Sequence, residues 1–145
     1  MNWNTCSGEE RLHLWKQLRN ELCDRTTLEQ LGEIARTYSS IRIGRRSLDF
    51  YDPGSWLTPW EIIYYGEFCK SSVSLLIFYT YIILNKESCA ELWLVKDNSG
   101  DYLLPVIDNQ YILNYEAGVV SNYLDICDYF VVMQKFSKED ARSVI

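Results

Sequence analysis

The chain contains one histidine, His13, in 145 residues, so any mechanism that needs two imidazoles is excluded. Its seven glycines and three prolines form neither G-x-x-x-x-G-K nor G-x-G-x-x-G, which removes the phosphate-cradling loops of nucleotide-binding folds. The five cysteines, Cys6, Cys23, Cys69, Cys89 and Cys127, are scattered and include no C-x-x-C. A lone histidine cannot complete a Cys/His zinc set at finger spacing, and neither a metal nor an organic cofactor is expected. The odd count fits free thiols in a reducing compartment, mostly packed as small hydrophobes. Long apolar runs are missing too: the most apolar stretch, Val73 to Leu84, falls short of the roughly 20 residues that span a bilayer. Met1-Asn2-Trp3-Asn4-Thr5 has neither the basic start nor the apolar core of a signal peptide, so a cytoplasmic location is expected. Positive charge is scarce, with 14 Lys and Arg against 20 Asp and Glu and a net charge of −6. Nucleic acid and anionic membrane both need a basic footprint, so neither is an expected partner. A protein with a basic or mixed surface is.

What is present describes one globular domain over residues 1–145. Hydrophobic residues make up 48% and charged residues 23%, enough to build a core without staples. Aromatics reach 14%, with 11 tyrosines and five tryptophans, which suit partner surfaces as well as cores.

Helical spacing recurs in the first half. Glu10 to Leu22 places Leu12, Leu14, Trp15, Leu18 and Leu22 mostly on one stripe. Thr26-Thr27-Leu28-Glu29 reads as a capping box, followed by Leu28, Leu31, Ile34, Ala35 and Tyr38 at helical spacing. Ile41 to Ser55, with Gly44, Arg45, Arg46, Pro53 and Gly54, reads as a loop with one short extended piece. In Thr58-Pro59-Trp60-Glu61, Thr58 is the cap, Pro59 the first helical residue and Glu61 the return of the box, with Gly66 as the stop. A helix from near Cys69 to Leu84 is apolar nearly all round and therefore central, although its β-branched and aromatic content also suits a strand. The period then changes. Glu91 to Lys96, a turn at Asn98-Ser99-Gly100-Asp101 and Tyr102 to Ile107 form a hairpin signature, with Pro105 pushing its strand toward an edge or bulge. Tyr111 to Tyr115 and Tyr129 to Phe136 are further strands, and Ser137 to Asp140 caps a last helix. The expected class is α+β: N-terminal helices and one buried central helix packed on an antiparallel sheet.

Few residues carry chemistry. The acidic pairs Glu9-Glu10, Glu139-Asp140 and Asp125/Asp128 read as solvated surface, and His13 as structural or surface. Cys69 has a particular address: at a helix start, free backbone N–H groups and the positive helix end favour a thiolate nucleophile. The alternative is a cysteine that merely packs.

The stretch Trp56-Leu57-Thr58-Pro59-Trp60-Glu61, then Gly66-Glu67-Phe68-Cys69, resembles the bacterial transglutaminase-like cysteine proteinase family. There a W-x-T-P-x-E helix leads to G-D-C-E-D, and the cysteine opens the central helix. Val106-Ile107-Asp108-Asn109 is similar to the family's V-L-D-N, whose aspartate orients the catalytic histidine. That histidine begins the preceding strand, as H-M-V-L. Counting back from Asp108 by the family's spacing lands on Glu91-Leu92-Trp93-Leu94, where the strand is present and the histidine is not. The acidic neighbours of the family's cysteine are replaced by Phe68 and Lys70, and the strand before the histidine strand would be compressed into Leu84 to Ala90. The resemblance, over Trp56 to Asn109, implies a degenerate transglutaminase-like (papain-like) fold with Cys69, Glu91 and Asp108 as the remnant of a catalytic site, and Asp108 within reach of the thiol.

Acyl transfer by cysteine needs an imidazole to take and return protons, and a carboxylate beside the thiol opposes thiolate formation. The expectation is therefore a catalytically dead scaffold that binds a protein, as an accessory, inhibitor or immunity-type protein of phage or mobile-element kind. A structural subunit of a larger assembly such as a virion is a second reading. An active thiol enzyme using Cys69 is a third.

Overall fold

The computed structural model describes residues 3–43, 49–66 and 68–141. Helix α1, Gly8–Leu22, starts earlier than its apolar stripe because the Ser7 hydroxyl accepts the Glu10 N–H at 3.2 Å. Helix α2, Thr27–Tyr38, starts at the Thr26 cap, whose hydroxyl accepts the Glu29 N–H at 3.3 Å and donates to the Glu29 carboxylate at 2.8 Å. Leu31, Ile34, Ala35 and Tyr38 are buried, whereas Leu28 faces solvent. Between α2 and the next helix the described residues show one 3₁₀ turn, Pro53–Ser55, and no extended piece; Gly44, Arg45 and Arg46 lie outside the described residues, as does Glu67.

Helix α3, Pro59–Tyr65, follows its sequence signals. Thr58 and Glu61 form the complete reciprocal capping box, Pro59 is the first residue, and Gly66 ends the helix in the left-handed region at φ 71°. Arg11 of α1 locks this end: its guanidinium donates to the carbonyls of Cys6, Ile63 and Tyr64. A Cβ at Gly66 would lie 2.5 Å from that guanidinium, and one at Gly8 would lie 2.6 Å from the Tyr64 carbonyl, so both glycines permit the close approach of α1 and α3.

Helix α4, Lys70–Leu84, is buried continuously from Ser71 to Ile82, and the strand alternative is not realised. The sheet it packs on is wholly antiparallel, in the order β4-β3-β2-β1-β5. Its strands are β1 (Ala90–Asp97), β2 (Gly100–Ile107), β3 (Tyr111–Leu113), β4 (Val120–Asn122) and β5 (Val131–Phe136). A short helix α5, Tyr123–Ile126, and a 3₁₀ turn, Cys127–Tyr129, precede β5. Alternation along the central hairpin builds two cores. Leu92, Leu94, Leu103 and Ile107 join the helices, while Trp93, Val95, Tyr102, Leu104 and Val106 face the other way toward Ile112, Ile126 and Phe130. Pro105 sits inside a central strand, but β3 pairs only with Val106 and Ile107, so the outer side of β2 is open at the proline. Ser137 to Asp140 forms a turn in which the Asp140 carboxylate accepts the Ser137 N–H and hydroxyl; no helix follows among the described residues. No helix among the described residues is long and apolar enough to cross a membrane.

The aromatic excess divides. Trp3, Trp15, Trp56 and Trp93 are buried, and Trp56 meets Phe136 edge-on at 5.1 Å; Trp60, Tyr64 and Tyr65 of α3 stand exposed. Two substitutions test the packing. Leu76→Ala, at a fully buried site, lowers unfolding free energy in urea titrations by about 2–5 kcal/mol. Thr58→Ala removes a cap and lowers it by about 1 kcal/mol. An effect below about 1 kcal/mol at Leu76 would place that face at the surface.

Candidate functional site

The start of α4 is where the chain concentrates polar groups. Cys69 is the cap: its sulfur accepts the Ser72 N–H at 3.3 Å, and its own N–H donates to the Ser72 hydroxyl at 2.7 Å. Ser72 Oγ also lies 3.0 Å from the Cys69 carbonyl and 3.4 Å from the sulfur. A thiol and a serine thus close a box usually made by Ser or Thr with Glu or Gln. One residue on, the Ser71 hydroxyl accepts the Leu103 N–H of β2 at 3.1 Å. Asn114, just past β3 and in the left-handed region at φ 63°, donates its amide to the Lys70 carbonyl at 3.0 Å and the Ser74 hydroxyl at 2.8 Å.

Lys70 folds back so that its ammonium lies 4.2 Å from the centre of the Tyr102 ring. Desolvation lowers its pKa, opposed by the charge of Asp97. The Tyr102 hydroxyl donates to Asp97 at 2.7 Å; burial, then that bond and the carboxylate's charge, raise the tyrosine's pKa. Asp97 also accepts the Ser99 hydroxyl and N–H, at 2.6 and 2.7 Å. The Ser99 hydroxyl and then Tyr102 contribute most to holding its carboxyl at about 2.

The three residues singled out from the sequence are not brought together. Cys69 lies at one end of α4. Asp108 lies at the other, exposed, in a shallow hollow shared with Tyr81 and Asn85. The 15 residues between span about 22 Å at the helical rise. Glu91 pairs with Val106 near that far end and accepts the Trp93 indole N–H at 3.2 Å, on the sheet face away from α4. Turn chemistry accounts for Asp108-Asn109. Both residues have positive φ, 56° and 54°, and the Gln110 N–H donates to the Ile107 carbonyl, as a type I′ hairpin turn demands. His13 is exposed on α1 beside Cys6, Glu9 and Glu10.

β2 meets the first turn of α4 through Leu103 on Ser71 and Tyr102 under Lys70, and Asn114, the residue after β3, meets it at the Lys70 carbonyl. The resemblance requires a histidine to begin one strand and an aspartate to end the next. Tyr102 of β2 and Asn114, just past β3, are the residues that meet this end of α4, and neither is a histidine or an aspartate. No strand lies between the end of α4 at Leu84 and the start of β1 at Ala90, so the compressed strand expected there is not formed.

Solved structures of LapG from Legionella pneumophila, a transglutaminase-like cysteine protease, share this arrangement of elements. The calcium-bound form has a TM-score of 0.74 at 12% identity, over 93% of this chain and 78% of its own. The EGTA-treated form has a TM-score of 0.73 at 12% identity, over 90% and 74%. The fold is transglutaminase-like. At such identity the likeness to LapG concerns the fold and leaves the chemistry to the side chains. No family model and no curated protein matches the sequence. Although one LapG structure is calcium-bound, no three His, Cys, Asp or Glu gather among the described residues here into a group able to hold a metal ion.

The polar cluster has a pH signature. Because the Asp97 pKa is depressed in the folded state, its contribution to stability is complete above the ordinary value of 3.8 and is lost as pH falls through about 2. Asp97→Asn is expected to flatten that part of the urea-midpoint profile and leave the neutral region parallel to wild type. NMR titration of the Asp97 carboxyl near its ordinary value would contradict the assignment.

Proposed function

We propose that this chain is a binding protein on a transglutaminase-like scaffold whose cysteine performs no acyl transfer. One observation carries the reading: the thiol at the start of α4 is engaged in capping, while the one histidine, His13, is exposed on α1 beside Cys6, Glu9 and Glu10. Among the described residues the polar side chains gathered at this end of α4 are the Lys70 ammonium, the Tyr102 phenol, the Ser71 and Ser72 hydroxyls and the Asn114 amide. The phenol's pKa is raised further by burial, and neither hydroxyls nor an amide exchange protons near neutral pH. Asp108, the carboxylate that an active thiol enzyme would have used, lies at the opposite end of the helix.

A protein partner is supported by what the surface displays. Trp60, Tyr64 and Tyr65 are 42%, 51% and 52% exposed on one short helix, and aromatic residues of this kind anchor interfaces. The net charge of −6 favours a partner with a basic or mixed surface. An accessory, inhibitor or immunity-type role fits a chain that binds and does not turn over.

Two measurements test the reading together. Purified protein incubated with a glutamine donor and a fluorescent amine, or with a casein substrate, is expected to give no product above the blank. In the organism that makes it, a Cys69→Ser copy is expected to restore fully whatever a deletion disturbs. Turnover abolished by Cys69→Ser, or failure of that folded variant to complement, would overturn the proposal.

A further inference from the structure

A cavity of about 230 Å³ opens beside the start of α4, between the end of α2 and the segment after β3. Its walls are mostly apolar: Tyr38, Ile41 and Val73 are buried, and Tyr115 closes one side. Ser39, Lys70 and Asn114 add polar groups to its lining, and the Ser39 hydroxyl is already engaged by the Arg36 carbonyl at 2.7 Å. The amide N–H groups of Asn114 are already engaged by the Lys70 carbonyl and Ser74. Lys70 differs. Among the described residues its ammonium makes no hydrogen bond and no ion pair, and it rests on the face of Tyr102. The nearest carboxylate, that of Asp97, is bonded by Ser99 and Tyr102 and acts on Lys70 only through its field.

We propose that this cavity binds a small apolar carboxylic acid, with its carboxylate on the Lys70 ammonium and its hydrocarbon part against Ile41, Val73 and Tyr115. The inference is independent of the protein-binding role. An ammonium has three donors and no acceptor, so its natural complement is an anion. Among the described residues that line the cavity Lys70 is the one cation, and one ammonium suits a monoanionic carboxylate better than a phosphate dianion, which binds where several charge-assisted donors converge. The volume lies below the roughly 300 Å³ at which pockets for drug-sized molecules begin, so the ligand has one ring or a short chain. The apolar walls supply affinity and the ammonium supplies selection for charge.

The probe is phenylacetate, titrated into the ¹⁵N-labelled full chain at neutral pH, with phenylacetamide as its uncharged counterpart. Saturable shifts of the Val73, Asn114 and Tyr115 amides are expected with phenylacetate, and binding about tenfold or more weaker with phenylacetamide. Lys70→Met, at an exposed side chain that leaves the fold intact, is expected to weaken phenylacetate by a similar factor. Val73→Trp fills the cavity and is expected to abolish the shifts where its spectrum remains folded. Equal binding of the amide, unchanged affinity in Lys70→Met, shifts confined to other surfaces, or no saturation up to about 50 mM would overturn the proposal. So would tighter binding of a tripeptide ending in phenylalanine, which would make the site a peptide-terminus pocket instead.

Discussion

A helix buried on every side must find partners for each polar atom it carries, and α4 carries several. Ser71, Ser72, Ser74 and Thr80 are all buried, and an unpartnered hydroxyl in such a place costs about 1–3 kcal/mol. Each is answered by a different part of the fold. Thr80 donates to the Leu76 carbonyl and accepts the Trp15 indole N–H and the Tyr38 hydroxyl, both at 3.0 Å, which ties α1 and α2 to one atom. Ser71 takes a backbone N–H from β2, Ser74 takes the amide that follows β3, and Ser72 closes the cap with Cys69. The apolar residues of α4 provide burial, and its three serines and one threonine determine which neighbours stand where.

That requirement shapes the site. In a working cysteine hydrolase the helix start holds a thiol aimed at an open cleft, with a proton acceptor on the adjoining strand. Here the same place is filled by bonds that serve the helix. The Asn114 amide holds the first turn, Lys70 lies flat on Tyr102, and Tyr102 is fastened to a carboxylate in the hairpin turn. The aromatic ring at the start of β2 supports a cation, which an imidazole in proton exchange would not do as well.

Local signals were legible and non-local ones were not. Thr58, Pro59, Glu61 and Gly66 act within a few residues of one another, so α3 could be read from its own sequence, and the apolar density of Val73 to Leu84 placed the central helix correctly. The hairpin of β1 and β2 followed from alternation around Asn98-Ser99. Which end of that hairpin meets the thiol depends on packing across the whole domain, and there the short pattern Val106-Ile107-Asp108-Asn109 misled, because a left-handed turn and an aspartate at a strand end use the same residues. Asn114 and Tyr102 gave no motif, although an asparagine after a three-residue strand, in a sequence poor in glycine, is consistent with the left-handed conformation it adopts. The short elements β4 and α5 were missed since neither is long enough to show a period.

The central claim is that Cys69 is a cap and not a nucleophile, and the most direct test compares thiols within one molecule. Iodoacetamide labelling at pH 7, followed by intact and peptide mass, ranks Cys69 against Cys23 and Cys89, which are free and exposed. The account predicts that Cys69 reacts no faster than these two, and that Cys69→Ser removes one slow site from the profile. Labelling of Cys69 about tenfold faster than either, with the fast phase absent in Cys69→Ser, would show an activated thiol and contradict the account.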